Sequence, residues 1–155
     1  MGIPHLTNAQ CHRILCIGDS YRRLTGRRLV AADDDLIEAL WQAPFAIVSH
    51  GTEPDPVFFF GNRIALDLFE MDFQTFTRLP SRFSAEPLLR EERADLLERV
   101  TRNGIIEDYA GVRISATGKR FRIANASVWN LTDAAGAAVG QAAAFSEWTP
   151  VASTG

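Results

Sequence analysis

Residues 44–70 read PFAIVSHGTEPDPVFFFGNRIALDLFE, and this stretch decides the fold. Phe45, Ala46, Ile47 and Val48 form an apolar run whose aromatic and β-branched content predicts a strand. Residues 49–56, SHGTEPDP, hold one Gly and two Pro that break any regular element. A second apolar run covers residues 57–60. Asn62 then stands just before the helical spacing Ala65, Leu66, Phe69, where its side chain can cap a helix by accepting a backbone N–H bond. Both strands are apolar on both faces, so neither face can look at water. This is the middle of the core.

Around it the composition allows one domain. A chain of 155 residues that is 46% hydrophobic can bury a core without staples. Its 16 basic and 19 acidic residues are interspersed and sum to −3, which gives no field to draw in nucleic acid or an anionic membrane. No apolar run is long enough to span a bilayer, and the first residues, MGIPHLTNAQCHRILCIG, lack the features of a signal peptide. Cys11 and Cys16 share one predicted helix at a spacing that suits neither zinc nor a bridge, so reduced thiols in a cytoplasmic protein are expected.

Residues 8–29 read as a first helix, with Cys11, Ile14, Leu15, Tyr21 and Leu24 approximating its apolar stripe and Arg22, Arg23, Arg27 and Arg28 at a solvated end. Leu36, Ile37, Leu40 and Trp41 give a second helix that Pro44 stops. Asp72 can cap a short turn carrying Phe73, Phe76 and Leu79, and Pro87 opens a helix that runs to about Arg102. Along that helix, Asp95 with Arg99 and Glu98 with Arg102 are spaced for ion pairs. Strands are expected over residues 109–115, 120–131 and 138–145, with turns at 116–119 and 133–136 and a frayed tail from 146 in which Trp148 docks. The expected architecture is α+β, a five-stranded antiparallel sheet with helices on one face and the N-terminal helix flanking. Residues 1–35 form the flanking helix and connection, 36–148 the domain and 149–155 the tail.

The strand–turn–strand opening with its Asn-capped helix also opens the PAS fold. Residues 44–70, then 79–100 (LPSRFSAEPLLREERADLLERV), then 111–131 (GVRISATGKRFRIANASVWNL), resemble the MEKHLA family of PAS-like domains in order. The resemblance covers residues 36–145 and implies a sensory or ligand-binding fold with no known ligand. It also frames two familiar PAS chemistries. A thiol-adduct flavin needs a cysteine in the region that here reads SRFSAEP, and a common haem sensor needs a histidine in the long helix LLREERADLLERV; both residues are absent. A non-covalent flavin or a small metabolite stays open.

Two groups of residues could carry function. His50 lies beside Glu53 and Asp55, a set that could bind a metal or act as a general base with an orienting carboxylate, or could equally cap a turn. Phe45, Phe60, Phe69, Phe76, Leu96 and Trp129 could enclose a pocket between sheet and helices, with Asn62, Arg122, Asn125 and Gln141 as polar partners of a flat or apolar ligand. Asn125 and Gln141 are of the type that holds flavin ring carbonyls and amides in PAS domains. The reading is a stand-alone, non-catalytic PAS-like module that binds a small ligand, forms a homodimer and signals through a separate partner. The rival is a small α+β enzyme using His50 with Asp55, and a third reading is a structural dimerisation domain with a filled core.

Overall fold

A computed structural model describes residues 3–31, 35–85 and 90–151. Among the described residues the chain forms five α-helices and six strands: α1 Asn8–Thr25, α2 Leu36–Gln42, β1 Ala46–His50, β2 Phe58–Gly61, α3 Arg63–Phe69, α4 Phe73–Phe76, α5 Arg90–Asn103, β3 Ile105–Ile114, β4 Arg120–Thr132, β5 Ala138–Phe145 and β6 Glu147–Pro150. A short 3-10 turn, Ser81–Ser84, precedes α5. The sheet is antiparallel in the order β2-β1-β5-β4-β3, with β6 also paired to β4.

The central stretch folds as its sequence dictates. Asn62 is fully buried, and its side chain makes four hydrogen bonds. Its Oδ1 accepts from the backbone N–H groups of Ile47 and Ala65, both at 3.1 Å. Its Nδ2 donates to the carbonyls of Leu40 at 3.1 Å and Phe45 at 2.8 Å. One amide therefore ties the end of α2, the start of β1 and the first turn of α3 together. Asp72 caps α4 in the expected way, accepting from Thr75 N–H at 2.7 Å.

The two faces of the sheet are covered by different parts of the chain. Strand register sets Ile47, Ala142, Ala144, Trp129 and Leu131 on one face. That face lies under α1: the indole N–H of Trp129 donates to the Ile17 carbonyl at 3.1 Å, and the Tyr21 ring meets the Trp129 ring edge-on at 5.0 Å. Alanines on β5 let the helix come close. The opposite, inner face carries Val48, Ala143 and Val128, with α3, α4 and α5 over it. There Phe58 stacks on Phe76 at 4.2 Å, and Phe69 packs against both Phe76 and Phe121.

Several expected boundaries move for identifiable reasons. α1 stops at Thr25 because Gly26 adopts the left-handed conformation and caps it. Its buried stripe is Ile14, Ile17, Gly18 and Ser20, while Leu24 stays 40% exposed. The five-stranded sheet gains a sixth strand: beyond a break at Ser146 the chain resumes pairing with β4, so Glu147–Pro150 is no tail. β3 begins at Ile105, where the sequence period turns to strand, directly after Gly104 ends α5, and so extends the strand expected over residues 109–115. Arg99 bonds Asp108 of β3 at 2.5 Å in place of Asp95, whereas Glu98 and Arg102 do pair. The expected helix start at Pro87 and the ends of the chain fall outside the described residues.

Two stability measurements check this arrangement. Asn62→Ala orphans four buried backbone groups and removes a helix cap, and we expect a loss of about 3 kcal/mol in denaturant unfolding. A loss no larger than an ordinary surface substitution would refute the pinning role. Deleting residues 1–32 exposes the Trp129 face, and the truncated chain is expected to aggregate or change oligomeric state in solution; a soluble, folded product of unchanged mass class would show that α1 covers nothing essential.

Candidate functional site

Alternation along β3 and β4 fails at two bulges, and these determine which side chains reach the inner face. In β4 the extra residue falls beside Asn125, which adopts a positive φ of 52°. Between Ile106 and Tyr109 the extra residue is on β3. The resulting register pairs Tyr109 with Ala126, Gly111 with Ile123 and Arg113 with Phe121. Because Phe121 packs on Phe69 under the helices, Tyr109, Gly111 and Arg113 share the inner face.

A polar row crosses the same face. His50 pairs with Gln141 on β5, and Gln141 pairs with Asn130 on β4. Gln141 Nε2 donates to Asn130 Oδ1 at 3.3 Å, and Asn130 Nδ2 donates to the Val100 carbonyl of α5 at 3.3 Å. His50 Nδ1 lies 3.0 Å from the Gly51 carbonyl. A carbonyl can only accept, so Nδ1 carries the proton of the neutral ring and Nε2 keeps its lone pair. Burial pushes the His50 pKa below its ordinary 6.5, and the Arg113 charge pushes the same way. Bonds to Gly51 and Gln141 and the Glu53 carboxylate oppose this without reversing it. His50 is therefore a neutral imidazole near pH 7. Gly140 lets β5 approach here: a Cβ on it would stand 2.0 Å from the His50 carbonyl oxygen.

The residues expected to surround a ligand are divided by the fold. Phe69 and Phe76 lie among the inner-face rings, and Phe60 meets Phe73 of α4 edge-on at 6.3 Å. Leu96 lines a cleft between α5 and β3, and half-buried Phe45 precedes β1. Gln141 reaches the inner face. Trp129 does not, since its ring lies under α1. Asn62 spends its whole bonding capacity on backbone. Asn125 is exposed at the bulge and donates to Glu147 Oε2 at 3.0 Å. Arg122 is exposed, pairs with Val112 and lines the same cleft as Leu96. The proposed His50 cluster is not assembled: Asp55 pairs with Arg82 at 3.1 Å, and Glu53 accepts from Val57 N–H at 3.3 Å. No group of three or more His, Cys, Asp or Glu side chains placed to hold a metal occurs among the described residues. Both cysteines sit on α1, and burial raises the Cys16 thiol pKa, followed by the Asp19 and Asp133 charges. No described helix is long and apolar enough to cross a membrane.

Sequence reading missed Arg113, Tyr109 and Asn130. A strict period of two puts Val112 and Ile114 inside and Arg113 outside; only the bulges reverse that.

The fold defines a PAS-like domain. Similar solved structures include the light-state dimer of the fungal blue-light photoreceptor Vivid (TM-score 0.60, 13% identity, 94% of this chain and 97% of that one). Others are the dark structure of the blue-light photoreceptor Aureochrome1 LOV (TM-score 0.54, 21% identity, 78% and 88%) and the PAS domain of a protein from Colwellia psychrerythraea (TM-score 0.58, 13% identity, 73% and 91%). The MEKHLA domain matches residues 11–150, and the chain belongs to that family. No curated protein matches it.

A pH titration checks the state of His50. With a folded pKa below the unfolded value, the group costs nothing above about pH 6.5 and destabilises the fold as pH drops from there to the folded pKa. His50→Gln should therefore lose less stability than the parent between roughly pH 7 and 5. Parallel curves would mean that the ring titrates as it does in the unfolded chain.

Proposed function

We propose that this chain is a PAS-type sensory module that binds a small molecule on the inner face of its sheet, without catalysing a reaction. The observation that carries the reading is the row His50–Gln141–Asn130, in register across three strands and facing α5. Polar groups at such a place are costly unless they are satisfied, and neighbouring aromatic rings suit a ligand that is partly flat. Gln141, Leu96, Phe69 and Phe76 stay in the proposed site. Residues 36–148 would form the ligand-binding unit, and 1–35 the flanking relay.

A flavin held without a covalent bond is compatible with this reading, and a metabolite is equally so. A thiol-adduct flavin is disfavoured because both thiols belong to α1, across the sheet from Gln141. The enzyme reading loses support, since Asp55 is engaged by Arg82. The proposed output is a homodimer and a separate signalling partner. As α1 already covers the outer sheet face, a second copy would meet the outside of α1, where Leu24 is exposed.

Native mass spectrometry and an absorption spectrum of freshly purified protein test this. The expected result is bound mass that is lost on denaturation, together with a dimer in sedimentation. A chain that purifies without added mass, and that no metabolite pool stabilises, would remove the ligand-binding reading.

A further inference from the structure

We infer that Arg113 is the ligand-selecting residue of this module and receives a carboxylate of a small monoanionic ligand. The inference rests on the ligand-binding reading above and names the chemistry of that site. Arg113 is half-buried on the inner face, yet among the described residues its guanidinium has only long contacts to neutral groups. Nη1 lies 3.5 Å from Ser84 Oγ, and Nη2 lies 3.5 Å from the Tyr109 hydroxyl. Its carbon sits 5.8 Å from the Tyr109 ring centroid. The ion pairs formed among the described residues all involve other basic side chains. A permanent charge partly withdrawn from water with two stretched neutral contacts among the described residues leaves most of its five donors weakly used by the protein. A carboxylate fits that fork with two parallel bonds, and no neutral group does so as well.

The surroundings select among anions. Ser84 is fully buried, and its hydroxyl already donates to the Ser81 carbonyl at 2.7 Å. The Tyr109 hydroxyl and the fork remain as donors. A cleft of about 360 Å³ between α5 and β3, lined by Leu96, Ile106, Tyr109 and Gly111 among others, lies on the far side of Tyr109 from Arg113, which is not part of its wall. The Tyr109 side chain folds back over Gly111, where a Cβ would stand 2.6 Å from the phenol oxygen, so that ring separates the cleft from Arg113. The cleft also carries Glu92, Asp95 and Asp108 against Arg99 and Arg122. That excess of acid repels a phosphate or other polyanion more than a single carboxylate. Its volume is at the lower end for small-molecule sites.

The test uses benzoate as the probe and its neutral counterpart benzamide as the control, on full-length protein with calorimetry and NMR of the His50 ring. Benzoate is expected to bind and to raise the His50 pKa, because it offsets the Arg113 charge; benzamide should do neither. Arg113→Gln should keep the fold and weaken benzoate by at least about tenfold. Benzoate affinity retained within about twofold in that variant overturns the assignment. Equal binding of benzoate and benzamide overturns the carboxylate and leaves a ligand site standing. Absence of binding by either also overturns the carboxylate, while native mass still reads occupancy independently. If Arg113→Gln fails to fold, the wild-type His50 titration decides: no rise with benzoate refutes the inference.

Discussion

The structure hangs on the side-chain amide of Asn62. A surface cap satisfies one backbone donor and is worth about 1 kcal/mol. Asn62 instead sits at zero exposure and serves two donors and two acceptors, from α2, β1 and α3. Its backbone joins in, since Asn62 N–H donates to the Ile47 carbonyl at 3.0 Å. An aspartate there would keep the two acceptor bonds and lose both donors, setting a carboxylate against two carbonyl oxygens. The geometry of the β1–β2 pair relative to the helical layer follows from this one residue.

Much of that layer was legible in sequence because its signals are local. Gly51, Pro54 and Pro56 punctuate the turn, Asn62 and Asp72 announce helix starts, and Gly118 and Gly136 mark the hairpins. The family resemblance named the fold for the same reason: its motifs sit in these local elements. The inner-face polar residues were not legible. One extra residue in a strand exchanges the faces of everything beyond it. Nothing in the letters of IEDYAGVRI or RIANASV places that residue at Asn125, a position defined by backbone conformation. Trp129 went under α1 because Ile17 offers its carbonyl to the indole, a partner 112 positions away in sequence.

β5 shows how a sheet can serve two coverings. Its residues Ala142, Ala143 and Ala144 are all buried, which lets close packing occur on both sides. α1 lies on one side, where the Ser20 hydroxyl donates to the Thr132 carbonyl at 3.2 Å and accepts from Thr132 N–H at 3.0 Å. Arg23 donates to the same carbonyl at 2.7 Å. The helix is therefore fixed to β4 by oriented bonds as well as by apolar burial, and it cannot slide along the sheet without breaking them.

Asn130 faces α5 while its neighbour Trp129 faces α1, and Gln141 stands in the same relation to Ala142. Inner and outer coverings thus touch adjacent residues of the same two strands. The helical layer over β1 and β2 is filled with stacked rings, so little can shift there without breaking close contacts. Near Arg113 the contacts are long, and a cleft lies beside Tyr109. Loose packing around Tyr109 and Arg113, beside strands that directional bonds tie to the helices, leaves β3 as the part of the sheet with most room to adjust. Arg113 pairs with Phe121, whose ring meets that of Phe69 at 5.3 Å, so a charge introduced beside Arg113 reaches the aromatic layer through this one pair.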